Sequence, residues 1–255
     1  MKDRIIKWFD LLPFPTDWRT EVADAAERFS MEGERTPMWD LLYALSRCDK
    51  TEKIYKEKNI GRDILIATLS DIVVWAENQH LVHGTVGLSD AGWLEGHLEG
   101  KLFRLGRLQF KMEQAICSDE KYELKEGDPV LEIHIPQGEP MNMDDVHASY
   151  RQAKEFFSIF FPEYDYKYFV CGSWLLDHHF KDFLKESSNI LKFAKDFDVI
   201  HWAPSNDAMR RLFELNPSKG PENSFQRNVR TFVENGGQTL EGYGILIWDG
   251  WNNDH

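Results

Sequence analysis

Cysteine is scarce in this 255-residue chain. Cys48, Cys117 and Cys171 are widely spaced and odd in number, which excludes a disulfide framework and a CxxC metal knuckle and suits a reducing, cytoplasmic setting. Long apolar runs are missing as well. No window approaches the roughly twenty apolar residues of a membrane span, and the opening MKDRIIKWFDLLPFPTDW is interrupted by Asp3, Arg4, Lys7 and Asp10, so no signal peptide is expected. Positive charge is outnumbered, with 30 Lys and Arg against 43 Asp and Glu and a net charge of −13. Such a surface repels phosphate backbones and anionic lipid, which argues against nucleic-acid and membrane partners and leaves room only for a local basic site. Internal repeats and low-complexity segments are absent. The run CGSWL from Cys171 lacks the second glycine of a G-x-S-x-G elbow, which sets aside an α/β-hydrolase.

What the chain does have is aromatic mass, with 17 Phe, 9 Trp and 8 Tyr, and ample length for a core. The first 80 or so residues read as helices. Thr16 or Asp17 can cap one through Val22, Ala25, Ala26 and Phe29. Thr36-Pro37 can open another through Leu41, Leu42 and Leu45, and Arg62 to Ala76 offers a broad apolar face. Lys50 to Lys58 reads as a solvated turn or helix face. Five glycines between His80 and Gly100 loosen the pattern, and a domain boundary is placed near Gly100, giving a mainly helical region over 1–100 and a second domain over 101–255. From Arg107 the alternation of Leu108, Phe110 and Met112 predicts a half-buried strand. Ser224 is a further expected helix cap, and Phe197 to Trp202 and Tyr243 to Trp248 read as later strands, so the class is α/β, with a mixed sheet.

The organising stretch is Gly127 to Asp177. Val130 to Ile135 is a β-branched run stopped by Pro136. A polar loop, QGEPMNM, leads to a helix with Val146, Tyr150, Ala153, Phe156, Phe157 and Phe160 at helical spacing, ended by Pro162. Tyr166 to Trp174 reads as the next strand. A βαβ unit of this kind places its strands parallel, with ligands at the end of the first strand and the start of the helix, here Pro136 to Asp145.

The ordered segments RLGRLQF (104 to 110), GDPVLEIHIP (127 to 136), AKEFFSIFFPEY (153 to 164), CGSWLLD (171 to 177) and SNILKF (188 to 193) resemble the signature of bacterial acyltransferase-domain proteins that join a helical N-terminal domain to a GNAT-like C-terminal domain. The resemblance covers roughly residues 80 to 250. It implies an enzyme that transfers an acyl group from acyl-CoA or acetyl-CoA directly to a small-molecule amine. It also implies a pantetheine-binding strand at 130 to 136, so that Ile135, Gln137, Gly138 and Met143 become cofactor-binding candidates. Unpaired N–H groups and the helix dipole favour a pyrophosphate there. One departure stands out. The loop has a single glycine, Gly138, and carries Glu139, Asp144 and Asp145, which compete with an anion.

Direct transfer needs a base for the amine, a donor for the carbonyl and an acid for the thiolate. Glu132 and His134, two apart on a strand, share one face and are the expected base candidates. A solvated or hydrogen-bonded pair on the sheet is the plainer reading. Cys171 and Ser173 share a face of the neighbouring strand. If Cys171 met His134, an acyl-enzyme route would follow, although a free cysteine on an aromatic strand is usually core. Arg104 and Arg107 can each meet a phosphate, or simply make salt bridges. His80 and His83 have helical spacing without a carboxylate beside them, and adjacent His178 and His179 are expected to diverge, so no metal is expected. The stripe Phe156, Phe157, Phe160 and Phe161 reads as core, and Trp202, Trp248 and Trp251 as strand-end packing or an acyl pocket. Three functional readings stand: an acyl-CoA-dependent N-acyltransferase, a non-catalytic GNAT-like binding module, and a cysteine-dependent acyltransferase or hydrolase. A homodimer is compatible with each.

Overall fold

The computed structural model describes residues 1–215 and 222–252. Two compact units emerge. The first comprises Met1–Leu105 with Pro136–Gly138, and the second Gly106–Ile135 with Glu139 onward.

The first unit is helical, as its periodicity predicts. It runs through α1 (Lys2–Leu11), α2 (Arg19–Glu27), α3 (Pro37–Glu57), α4 (Arg62–Leu69), α5 (Asp71–His83) and the short α6 (Glu95–Leu98) to β1 (Leu102–Leu105). Thr36 caps α3 by accepting from the Trp39 N–H, and Pro37 takes the first turn, where its missing N–H costs nothing. Neither Thr16 nor Asp17 caps α2 directly; they form a 3₁₀ turn that leads into it. The charged run at 50 to 58 belongs to the last turns of α3, where Lys53–Glu57 and Lys56–Glu52 pair four residues apart. The single helix expected from Arg62 to Ala76 is two, divided at Ser70, whose hydroxyl donates back to the Ile66 carbonyl. That back-bond competes with the helix ladder.

This unit closes on a buried polar centre. Asp71 Oδ2 accepts from Trp93 Nε1 at 2.8 Å and Trp75 Nε1 at 3.2 Å, and His97 Nε2 lies 3.1 Å away. His97 is fully buried and Asp71 nearly so. A carboxylate in such a place is tolerated only because several donors converge on it.

The second unit contains β2 (Leu108–Gln114), β3 (Pro129–His134), α7 (Met143–Phe160), β4 (Phe169–Ser173), α8 (Asn189–Lys195), β5 (Phe197–Pro204), α9 (Asp207–Met209) with a π-helical turn after it, α10 (Ser224–Glu234) and β6 (Leu240–Leu246). Its strands lie in the order β2-β3-β4-β6-β5. β3 and β4 are parallel and the other pairings are antiparallel, so the sheet is mixed. α7 buries Val146, Tyr150, Ala153, Phe156 and Phe157, the apolar spacing seen in the sequence. The chain turns before β2 at Gly106, with φ of +66°; a Cβ there would lie 2.8 Å from Ser149 Oγ, so both the backbone and the close approach favour glycine. The strand expected from Tyr166 shortens to Phe169–Ser173. Asn223, one residue before the expected Ser224, caps α10 in a capping box with Gln226. The segment after Asp177 makes a 3₁₀ turn over His178–Asp182. No helix among the described residues is long and apolar enough to cross a membrane.

Candidate active site

The βαβ unit carries the principal irregularity of the sheet. β3 and β4 pair only at Leu131↔Phe169 and Glu132↔Val170, although β3 continues to His134 and β4 to Ser173. Their other neighbours stay attached over that span. β2 follows β3 to Gln109↔His134, and β6 follows β4 to Ser173↔Gly242. Two parallel strands held from outside but unpaired to each other past Glu132 and Val170 splay, leaving the backbone N–H and C=O groups of Ile133 and Gly172 facing a gap, while those of His134 and Cys171 turn to β2 and β6. Unpaired strand edges are strong hydrogen-bonding surfaces for an extended ligand.

Above the gap, Asn142 caps α7 by accepting from the Asp144 N–H at 3.1 Å. Met143 is the first helical residue, half-buried, and Asp144 and Asp145 occupy the first turn. Arg107 is buried. Its Nη2 donates to the Glu139 carbonyl at 2.7 Å and its Nε to the Pro140 carbonyl at 3.1 Å, so this cation holds the loop in shape. Arg104 belongs to the first unit, where its N–H donates to Thr68 Oγ1. Gln137 and Gly138 also group with the first unit. There the Gln137 amide exchanges two hydrogen bonds with Asn78, at 3.0 and 3.2 Å. Gly138 has φ of +100° and open space around it. Ile135, just past β3, is half-buried.

Strand parity sorts the remaining candidates. Glu132 faces the same side as its partner Val170, and hence as Gly172; β6 adds Tyr243, opposite Gly172, and Glu241 two residues before it. His134 shares this face, with its Nε2 3.2 Å from Glu132 Oε2. Both side chains retain about a fifth of their exposure, 18% for His134 and 21% for Glu132, with the His134 Nε2 atom itself buried.

Cys171 and Ser173 point to the opposite face. The Cys171–His134 pairing that an acyl-enzyme route requires is therefore not formed, because residues of unlike parity cannot meet across a sheet. Cys171 is fully buried, and burial with the Glu132 and Glu241 carboxylates beyond it holds the thiol well above its ordinary range, the wrong direction for a nucleophile. Ser173 Oγ accepts from the Leu175 N–H at 3.1 Å and starts the 3₁₀ turn after β4. Alkylation of the folded protein, read by mass spectrometry, is expected to label half-buried Cys117 well before Cys48 or Cys171. Early labelling of Cys171 with loss of activity would reinstate the thiol route.

His178 and His179 do not diverge as expected. Their ring centroids lie 4.2 Å apart at an interplanar angle of 32°, and with Asp177 they bring three potential donor atoms within 4.8 Å of one another. Asp177 is already engaged by the His179 N–H and Nδ1 and by the Leu240 N–H. His80, on α5, lies 5.0 Å from the Trp18 ring. Phe156, Phe157, Phe160 and Phe161 pack on one another, as core residues do. Trp248 and Trp251 cover α7, under Arg151 and Lys154 respectively, while Trp202 stays 42% exposed. Sequence reasoning passed over Gly172, Glu241 and Tyr243. The alternation in LEGYGIL places the last two on one face, but only the register brings them beside Glu132.

A helical unit followed by a mixed sheet with a splayed parallel pair defines the GNAT-like class of fold. Residues 102–246 match the family described as GNAT-like C-terminal domain, and residues 13–100 that described as N-acyltransferase N-terminal domain; the chain belongs to this GNAT-like family. Among solved structures, an acyltransferase in complex with decanoyl-CoA and teicoplanin is 24% identical with a TM-score of 0.71, over 82% of this chain and 66% of that one. An acyltransferase in complex with CoA and a teicoplanin derivative gives 24% and 0.72, over 82% and 65%. A decanoyl-CoA complex gives 21% and 0.72, over 97% and 76%. At such identities the likeness is one of fold, and the chain spans just under two thirds of the length of the first two. No curated protein matches the chain.

Proposed function

We propose that this chain is an acyl-CoA-dependent N-acyltransferase acting in the cytoplasm, transferring an acyl group directly to the amine of a small molecule. The observation that carries this reading is the gap between β3 and β4, with Glu132 and His134 on its lip. The pantetheine arm is amide-rich and extended, and it would pair with the backbone groups of Ile133 and Gly172, past the last β3–β4 pair at Glu132 and Val170. The pyrophosphate would lie toward Met143 at the start of α7, where unpaired N–H groups and the helix dipole favour an anion. Asp144 and Asp145 weaken that preference, so backbone pairing in the gap carries more of the affinity. Solved neighbours of the same fold bind CoA, decanoyl-CoA and octanoyl-CoA, which makes a CoA thioester the natural occupant.

In this reading the Glu132–His134 pair first takes a proton from the ammonium, and the free amine nitrogen attacks the thioester carbonyl. The tetrahedral centre collapses to an amide as the C–S bond breaks, the leaving CoA thiolate ends with the second proton lost by nitrogen, and the pair releases the first to solvent. Atoms and charge balance without a metal or an enzyme thiol. Cys171 has no role in this route.

Thermal unfolding with CoA, acetyl-CoA and a medium-chain acyl-CoA tests the reading. At about one hundred times the dissociation constant, binding to the folded state contributes about 2.7 kcal/mol, an easily measured rise in Tm. Absence of a response to all three, in a buffer where a CoA-dependent control enzyme responds, would transfer the fold to a non-catalytic binding module.

A further inference from the structure

The segment that leaves β4 gathers three side chains that the transfer chemistry does not use. After the 3₁₀ turn over Trp174–Leu176, Asp177, His178 and His179 follow one another. One carboxylate oxygen and one nitrogen from each ring lie within 4.8 Å of one another. Their burial is graded. The Asp177 side chain is wholly buried, that of His179 is 30% exposed, and His178 is exposed. Leu176 lies against Gly242 and Gly244, 2.8 and 3.3 Å from where their Cβ atoms would stand, and these glycines pair with Ser173 and Cys171. The segment therefore folds back over the face of the sheet opposite Glu132.

The surroundings hold these groups as ligands are held. Asp177 Oδ1 accepts from the His179 backbone N–H at 2.9 Å and Oδ2 from the Leu240 N–H at 2.8 Å. Backbone donors of this kind fix the direction of a carboxylate, as the outer partners of a ligating carboxylate do. His179 Nδ1 lies 2.8 Å from the same Oδ1. Two ligand bonds of about 2.0 Å, spread by roughly 90–110°, span about 2.8–3.3 Å between their ends, so a metal ion can replace the proton shared by this pair with little movement. Both rings are seated as well. His179 lies 4.9 Å from the Phe232 ring on α10, and His178 lies 5.6 Å from the Trp202 ring on β5, at 80° to it. A side-chain rotation of His178 closes the remaining distance, and its exposure gives an ion a path of entry.

We propose that Asp177, His178 and His179 bind a late first-row divalent metal ion, Zn²⁺ or its neighbours Ni²⁺ and Cu²⁺, with the remaining coordination left to water. Two imidazole nitrogens and one carboxylate oxygen suit these ions, whereas Mg²⁺ and Ca²⁺ call for oxygen throughout. On binding, the His179 ring carries its proton on Nε2 and gives its Nδ1 lone pair to the ion. Asp177 Oδ1 turns to the ion the lone pair that met this ring and keeps the backbone N–H. Asp177 is bonded to the first residue of β6, while the two rings rest on β5 and α10. The ion thus ties the exit of β4 to three further elements. Its role is to stabilise that junction, and the acyl-transfer route does not pass through it.

Calorimetric titration of the full chain with ZnCl₂ and with MgCl₂, after dialysis against a chelator, tests the site without CoA or turnover. Zn²⁺ should bind at a single equivalent and raise Tm, and Mg²⁺ should do neither. His178→Ala and His179→Ala should each weaken Zn²⁺ by at least about tenfold. Because His178 is exposed, its variant should unfold at the parent's Tm when no metal is present, which separates lost ligation from lost folding. Cu²⁺ should quench tryptophan emission, and less so in Trp202→Phe, since Trp202 is 42% exposed and stands against His178. His80→Ala, on α5, should leave Zn²⁺ binding unchanged. A chain that takes up no Zn²⁺, that takes up Mg²⁺ equally, or that keeps its Zn²⁺ affinity in either His178→Ala or His179→Ala would overturn the assignment.

Discussion

Glu132→Gln is expected to lower kcat/KM for amine acylation by about 10²- to 10⁴-fold, the range in which removal of a general base falls. The substitution keeps the volume and the strand and removes only the carboxylate that faces both His134, at 3.2 Å, and the glycine position, at 3.2 Å. The CoA-induced Tm rise should survive, because the backbone edges of β3 and β4 are untouched. That combination separates chemistry from cofactor binding. His134→Gln should produce a smaller loss if Glu132 is the first proton acceptor, and an equal loss if the pair acts as one unit. A Glu132→Gln protein that turns over within about twofold of the parent, far less than a general base contributes, would return the pair to a merely structural place on the sheet.

Asp71→Ala is expected to destabilise the first unit by about 2–5 kcal/mol, because several buried ring nitrogens lose their common acceptor at about 1–3 kcal/mol each. Trp75, Trp93 and His97 all direct a ring nitrogen toward Asp71 Oδ2, and the truncation removes their common acceptor at the meeting of α5, α6 and the 3₁₀ turn before α6. Denaturant unfolding followed by tryptophan fluorescence reads the effect directly, since two of the partners are indoles. Asp71→Asn retains an acceptor and should cost less. A loss below about 1 kcal/mol for the alanine variant would mean that His97 and the indoles find other acceptors.

Much of the fold was legible beforehand. Apolar spacing at helical period exposed α3 and α7, proline marked the start of the first and the stop beyond the second, and β-branched runs ending at proline marked β3 and β5. Boundaries failed where side chains competed with the backbone. Ser70 split one helix by bonding Ile66, and Asn223 displaced Ser224 as a cap because Gln226 could answer it. Such exchanges depend on rotamers that one-dimensional spacing does not carry. The resemblance to a GNAT-like family was legible too, since it rested on ordered local motifs.

The site divides along the same line. Sequence by itself determined that Glu132 and His134 share a face and that Cys171 and Ser173 share a face, because strand parity is a local property of period two. It also determined that an acidic, glycine-poor loop leads into α7. Only the tertiary structure decided which face meets which. The register of β3 on β4 set Cys171 and His134 on opposite sides, and the pairing of β4 with β6 brought Glu241 and Tyr243 to Gly172 from some seventy residues away. The splay itself is a property of two neighbouring strands, β3 and β4, each held by a different partner, β2 and β6. No single stretch of chain encodes it, because a gap between strands is defined by hydrogen bonds that each strand makes elsewhere.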